Sequence, residues 1–458
     1  MSLLPDLQQR LDDAATRHGD VAGAAIAVGL GDELAEAATG LVNRNTGVEA
    51  TPDSVFQIGS VTKVWTAALV LQLVDDGLVK LDEPVRAYLP EFGVADPEVT
   101  ETVTVRQLLS HTGGFDGDLF EDTGRGDDAL EKFIAYLHGA AQVQRPGTLF
   151  SYCNSGYCVL GALAAKLRGG TWEEAFRERL ITPLGATHVA LLAEDAILFR
   201  AAAGHVKMPG TERASVLPQW QMPRSNGPAG STACAAPREL VRFGRMFLAG
   251  GVAADGTRLL SGTSVAAMTT PQVDVPGVSG LLANAWGLGV ELFDWYGTRV
   301  FGHDGGTPGQ STVWRVIPDH DVVIAMSVNG PGAVTLLEQV LIPVIEEATG
   351  VRVPALPRPP ATPLPAGDVS AFLGRYAGPI LAYEVAPADG GLDITYVPGE
   401  FAMRMGDERR TGRYVRFSGD SFISLQPEGG FHSTVTFVDN GRYLHNGRAL
   451  PRVERVDS

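Results

Sequence analysis

Cysteine is scarce. Cys153, Cys158 and Cys234 are the three in a chain of 458 residues. So odd and small a number makes no disulfide framework, and a reducing compartment is the simplest expectation. There is no Cys-x-x-Cys pair and no His-Glu-x-x-His helix, so no metal or other cofactor is expected. Apolar runs are broken by charge, glycine or proline well short of the ~20 residues that cross a bilayer. No Lys/Arg-rich run offsets the formal net charge of −17, from 36 basic and 53 acidic residues, which argues against a nucleic-acid partner. The opening stretch, Met1 to Asp20, is amphipathic and of mixed charge, without the apolar core of a secretion signal. A cytoplasmic protein without a membrane partner is expected.

What the chain does have is apolar material: 45% of its residues, enough for an extensive core. Val21–Leu30 and Glu36–Gly40 read as a hairpin, Val64–Val74 as a strongly apolar helix stopped by Asp75-Asp76-Gly77, and Gly332–Ala348 as another helix. Thr298–Phe301, Ser311–Val316 and Val322–Val328 are β-rich. Strands at both ends of this region with helices between them predict one α/β unit carrying a large helical insertion. Six prolines from Pro354 to Pro365 then force an extended connector. Beyond it, Leu392–Val397, Arg413–Phe417, Phe422–Gln426, Ser433–Val438 and Gly441–His445 alternate with turns, as in a small antiparallel β-barrel. The expected organisation is a catalytic unit over 1–350, a linker over 351–368 and a barrel over 369–458.

Three motifs carry chemistry. Ser60 and Lys63 stand three apart at the start of the apolar helix, on one face, where helix-terminal N–H groups favour a developing oxyanion. A lysine packed against that helix has its charged form disfavoured and can assist proton transfer. Ser151-Tyr152-Cys153-Asn154-Ser155-Gly156 offers a phenol that can relay a proton and an amide that can donate to a carbonyl. Gly302-His303-Asp304-Gly305-Gly306 places a histidine where glycines allow close backbone approach. Each also fits a bland role: a capping serine, a helix-capping turn, a glycine-rich hairpin with an exposed histidine.

Together, and in this order, Ser-x-x-Lys, Tyr-x-Asn and His-x-Gly resemble the serine β-lactamase and penicillin-binding-protein superfamily. The likeness is to the branch of class C β-lactamases, D,D-peptidases and family VIII esterases. Leu81–Val85, Leu108–Gly114 and Gly227–Thr232 fit the same pattern, so the resemblance spans roughly residues 5–350. It implies an antiparallel sheet flanked by helices plus a helical region, with a lipocalin-like barrel appended. It also implies roles: Ser60 as nucleophile, Lys63 as its activating partner and Tyr152 as general base. Asn154 would bind a substrate amide, and His303 would hydrogen-bond substrate or Tyr152. The backbone N–H groups of Ser60 and Gly306 would form an oxyanion hole, with Gly305 and Ser231 lining the substrate site. No Gly-x-Ser-x-Gly elbow supports an α/β-hydrolase instead.

His303 stands where a β-lactamase has a lysine for the antibiotic carboxylate, which argues against that activity. The expectation is an acyl-Ser60 enzyme resolved by water or an amine. The favoured form is a penicillin-binding-protein-type thioesterase, a group that releases nonribosomal peptides from a carrier protein, often as macrolactams. The alternatives are a family VIII-type carboxylesterase and a D-amino-acid peptidase or amidase, followed by a silent binding protein. Its partners would be a small-molecule or peptidyl ester or thioester and a peptidyl carrier protein, which would need a local basic patch on this acidic surface. His111 is expected to order its turn, Cys153 to pack, Trp220, Trp286 and Trp295 to fill core, and the acidic stretch Asp116–Asp128 to be a solvated lid. The barrel, without a catalytic constellation, is expected to shape or cover the cleft.

Overall fold

The computed structural model describes residues 4–454 except 209, 278–282, 363, 401–402 and 404–406. Pro363 of the expected linker, residues 1–3 of the opening stretch and residues 455–458 of the expected barrel therefore lie outside the described residues. No helix among those described is long and apolar enough to cross a membrane.

The framework is one antiparallel sheet of nine strands. In chain order these are β1 (Gly23–Leu30), β2 (Glu33–Asn43), β3 (Val48–Glu49), β4 (Val273–Asp274), β5 (Ala285–Trp286), β6 (Glu291–Trp295), β7 (Thr298–Thr307), β8 (Gln310–Ile317) and β9 (Val322–Val328). Across the sheet they run β3-β2-β1-β9-β8-β7-β6-β5-β4, so the two ends of the catalytic region pair in the middle. β9 is apolar at nearly every position because both of its faces are covered. Val322, Ile324, Met326 and Val328 pack with α1 (Leu7–His18) and the helical segment from Ala333 to Thr349. Val323 and Ala325 face the opposite core.

That second core contains α2 (Thr62–Asp75), apolar all round because it is enclosed on every side from Thr62 to Leu73. Against it pack α3 (Asn154–Arg168) and α4 (Pro237–Leu248). Trp65 of α2 stacks on Phe243 of α4 with ring centroids 3.8 Å apart. The Trp314 indole N–H of β8 donates to the Leu240 carbonyl at 3.0 Å and ties α4 to the sheet.

The connector has no helix or strand among the described residues of 351–369, and Val351, Val353 and Leu356 bury themselves against the first core. A closed antiparallel barrel follows: β10 (Gly374–Ala377), β11 (Leu381–Ala388), β12 (Gly391–Pro398), β13 (Arg410–Ser418), β14 (Ser421–Ser424), β15 (Thr434–Val438), β16 (Tyr443–His445) and β17 (Ala449–Glu454). The sequence reading identified five of these eight. Pro387 in β11 and Pro451 in β17 disguise strands that tolerate a missing donor. The barrel interior is filled by Phe372, Tyr376, Leu392, Phe422, Phe437 and Leu444, so it is a packed core rather than a ligand cup. A second difference is Gly302–Gly306. It is no turn but the middle of β7, in continuous register with Arg315–Ser311 of β8.

Gly161 of α3 makes possible a close approach to the turn Arg224–Ala229: a Cβ there would stand 2.2 Å from Pro228 Cγ, on a rigid ring. Gly161→Ala is expected to destabilise the protein by about 2 kcal/mol, read as a lower Tm. Gly139→Ala, whose Cβ would meet nothing within 4 Å, is the control and should melt like the parent.

Candidate active site

Ser60 sits in a single 3₁₀ turn, Gly59–Val61, that runs directly into α2. One turn on, Lys63 returns its amine to within 2.9 Å of Ser60 Oγ. The amine also donates to the Ala229 carbonyl at 2.5 Å. Lys63 has no exposed surface. Burial, with a smaller contribution from the Arg448 charge, pulls its pKa down to about 7, so a large fraction is neutral at physiological pH. Two glycines let backbone close around this turn. A Cβ at Gly305 would lie 1.9 Å from the Ile58 carbonyl oxygen, and one at Gly230 would lie 2.2 Å from that of Gly59. Gly306 N lies against Gly59, beside Ser60.

Tyr152 approaches from the extended segment before α3. Cys153 caps that helix, its Sγ accepting from Gly156 N–H at 3.3 Å, which gives the buried thiol a structural purpose. The Tyr152 ring lies 4.7 Å from Lys63 Nζ and stacks on His111 at 4.3 Å. Its hydroxyl is buried and faces the Ser60 hydroxyl. Burial drives the phenol far above its ordinary pKa, and the neighbouring Ser60 hydroxyl and Arg448 only partly oppose this. Tyr152 is therefore a neutral phenol at neutral pH. His111 was expected to order its own turn; its Nδ1 instead accepts from Cys153 N–H at 2.9 Å and holds the Tyr152 segment.

His303 comes from β7. Its Nδ1 is 2.6 Å from the Asp304 carbonyl oxygen, which can only accept, so Nδ1 carries the proton and Nε2 is bare. Nε2 is buried and without a partner among the described residues. Burial, reinforced by Lys63, pulls the histidine down to about 3, and it stays neutral through the physiological range.

The acidic stretch departs from the expected solvated lid. Asp127 and Asp128 are exposed, but the Asp118 side chain is only 4% exposed. It accepts from Asn154 Nδ2 at 2.6 Å and pairs with Arg448 through both Nε and Nη2, the latter at 3.1 Å. Arg448 belongs to the turn between β16 and β17, and its guanidinium lies 5.1 Å from the Tyr152 ring centre. The same turn fixes the backbone of the site. Tyr152 N–H donates to the Gly447 carbonyl at 3.0 Å, and Ala449 N–H donates to Ser151 Oγ at 3.1 Å.

A cleft of about 400 Å³ opens between these parts, with Ser60, Tyr152 and His303 on one side and Thr434, Asn446 and Arg448 of the barrel on the other. Trp286 is buried, as expected, and also lines the cleft, whereas Trp295 is core and Trp220 is tied by its N–H to the Ala202 carbonyl. Ser231, whose hydroxyl donates to the Pro223 carbonyl at 2.6 Å, is not among the lining residues, and neither are Asn154, Gly305 and Gly306. The sequence reading missed Glu291, Asp118 as a buried partner, and Arg448. Only Glu291 had a usable signal: the Tyr296-Gly297 turn pairs β6 with β7 and puts it opposite Gly302, beside His303.

A buried amine with a lowered pKa destabilises the fold wherever the unfolded chain would hold the proton more tightly. Below about pH 7 this cost is complete, and it disappears as pH rises toward the ordinary lysine value of 10.5. Lys63→Met should therefore melt several degrees above the parent at pH 6, with the gap narrowing steadily between pH 7 and pH 10, as followed by calorimetry.

Comparison with known proteins bears on the family and the fold. The β-lactamase family model matches residues 8–339. Penicillin-binding protein 4 of Amycolatopsis lactamdurans is 45% identical over 370 residues, which cover 81% of this chain and 96% of that protein. The crystal structure of SurE matches with a TM-score of 0.77 at 30% identity, covering 98% of this chain and 99% of SurE, and SurE with D-Leu matches with 0.74. The D-amino acid amidase of Ochrobactrum anthropi SV3 shares the fold at 23% identity, with a TM-score of 0.62 over 76% of this chain and 99% of that one. The chain belongs to the β-lactamase and penicillin-binding-protein superfamily of serine hydrolases and acyltransferases.

Proposed function

We propose that this protein takes an acyl group from a peptidyl ester or thioester onto Ser60 and passes it to an amine. On this reading it is a penicillin-binding-protein-type thioesterase that releases a nonribosomal peptide as a macrolactam. The observation that carries the chemistry is the Lys63 amine, largely stripped of charge, 2.9 Å from Ser60 Oγ. Lys63, rather than Tyr152, is then the base that takes the Ser60 proton, because burial brings the amine into range and takes the phenol out of it.

Tyr152, neutral and beside the Ser60 hydroxyl, relays a proton between Lys63 and the leaving group or acceptor. The N–H groups of Ser60 and Gly306 hold the oxyanion, an effect worth about 3 kcal/mol. Asn154 Nδ2 has two hydrogens, of which Asp118 takes one, and the other is assigned to a substrate amide. His303 Nε2 accepts from a substrate N–H.

The macrocyclising form draws its support from three features. The likeness to SurE runs the whole length of the chain, barrel included, and one SurE structure holds D-Leu, which suggests a D-configured residue at the acyl position. The barrel walls the cleft, as an enclosing chamber for a folded-back peptide requires. A β-lactam carboxylate would find a neutral His303 and an Arg448 already paired with Asp118. The donor would arrive on a peptidyl carrier protein.

Incubation with a peptidyl N-acetylcysteamine thioester ending in a D-residue should give a cyclic product lighter by one water than the linear acid. Turnover of short p-nitrophenyl esters alone, with the thioester untouched, would refute the cyclase reading in favour of an esterase. Ser60→Ala should show no acyl adduct by intact mass while keeping its fold. The acylation rate should climb through about pH 7 to a plateau as Lys63 loses its proton. An unchanged rate in Lys63→Ala would remove it from this role.

A further inference from the structure

Glu291 is an ionisable group of the cleft that the mechanism above leaves unused. It lines the cleft with Ser60, Tyr152 and His303, and its side chain is only 13% exposed. Its neighbours come from four elements, and the cation that reaches it among the described residues, Arg315, is shared with Asp304. On β7, His303 Nδ1 stands 3.7 Å away, but that ring is neutral and its Nδ1 proton is directed at Asp304 O. Arg315 on β8 stands 3.9 Å away and is already held by the Asp304 carboxylate through bonds of 2.6 and 3.0 Å. Lys63 on α2, its pKa lowered to about 7, contributes only a partial charge, and Arg448 is gripped by Asp118. The Asp304 N–H beside Glu291 gives some support, while the Asp304 charge repels. A desolvated carboxylate in this position is satisfied by a proton or by a cationic ligand.

We propose that Glu291 recognises the acyl acceptor: it docks a primary ammonium group and takes one proton from it, so that the neutral amine attacks acyl-Ser60. This rests on the reading of Ser60 as nucleophile. The ammonium gives its proton to the Glu291 carboxylate, leaving R–NH₂ and a carboxylic acid. The amine nitrogen bonds to the acyl carbon as the bond from that carbon to Ser60 Oγ breaks. The second amine proton passes by way of Lys63 and Tyr152 to Ser60 Oγ, and Glu291 returns its proton to solvent. Burial, with repulsion from Asp304, raises the proton affinity of Glu291 well above that of an ordinary carboxylate, which makes it a better acceptor for the ammonium proton. The acceptor class is therefore a free α-amine, either a separate molecule or the far end of the tethered peptide.

The test uses the full-length protein, an N-acetylated peptidyl thioester as donor, and glycinamide or its hydroxy analogue glycolamide as acceptor. The ratio of acceptor adduct to hydrolysed acid is measured by mass spectrometry. This ratio is independent of how fast the acyl-enzyme forms. The parent should favour glycinamide over glycolamide at least tenfold and saturate with it. Glu291→Gln should lower the amide-to-acid ratio at least tenfold, with partial recovery at pH 9, where solvent supplies neutral amine. Glu291→Asp should fall between. An unchanged ratio in Glu291→Gln, equal loss of hydrolysis and aminolysis, or a parent indifferent to amine over alcohol would each overturn the assignment. Absence of any acyl adduct on Ser60 in the parent is a separate signal, and it would remove both the functional reading and this one.

Discussion

An amine kept from water governs this molecule. Lys63 is neutral in large part only because α2 is enclosed on every side, and that enclosure needs both the sheet behind it and α3 and α4 around it. The same exclusion of solvent sets the other protonation states of the cleft. Tyr152 keeps its proton and His303 stays without a second one. A single physical cause, desolvation, thus gives three groups of different ordinary pKa the states that the proposed acyl transfer asks of them. Hydrogen bonds then fix direction, with the Ala229 carbonyl aiming the amine and the Asp304 carbonyl choosing the histidine tautomer.

Local chemistry was the legible part of the sequence. Ser60 and Lys63 are three residues apart, and helix geometry alone puts them on one face. The apolar runs that became α2 and β9 announced themselves because burial on all sides leaves no polar face to confuse the pattern. What stayed hidden depends on distance along the chain. Asp118 meets Arg448 across 330 residues, and no periodicity records such a meeting. Protonation was hidden for a related reason. Assigning the base between Lys63 and Tyr152 requires knowing how deeply each is buried, a property of the assembled fold. The glycines of Gly302–Gly306 suggested a turn, yet they serve a strand whose backbone must come within touching distance of the Ser60 turn.

Electrostatics in the cleft is organised by pairing within the protein. Asp118 answers Arg448, and Asp304 answers Arg315, each through a two-pronged guanidinium contact that fixes orientation as well as charge. These pairs leave little unmatched cationic charge inside a protein of net charge −17. The pairing of Asp118 with Arg448 also joins the barrel to the helical region at the point where Asn154 begins α3.

The connector turns the barrel's seat on that region into an intramolecular equilibrium. A barrel joined by an extended, proline-rich segment is held at an effective concentration on the order of millimolar or above. An interface too weak to survive between separate molecules would still be closed most of the time under such tethering. The contacts that Gly447 and Arg448 make with Tyr152 and Asp118 therefore need not be numerous to hold, because their two halves never become separate molecules.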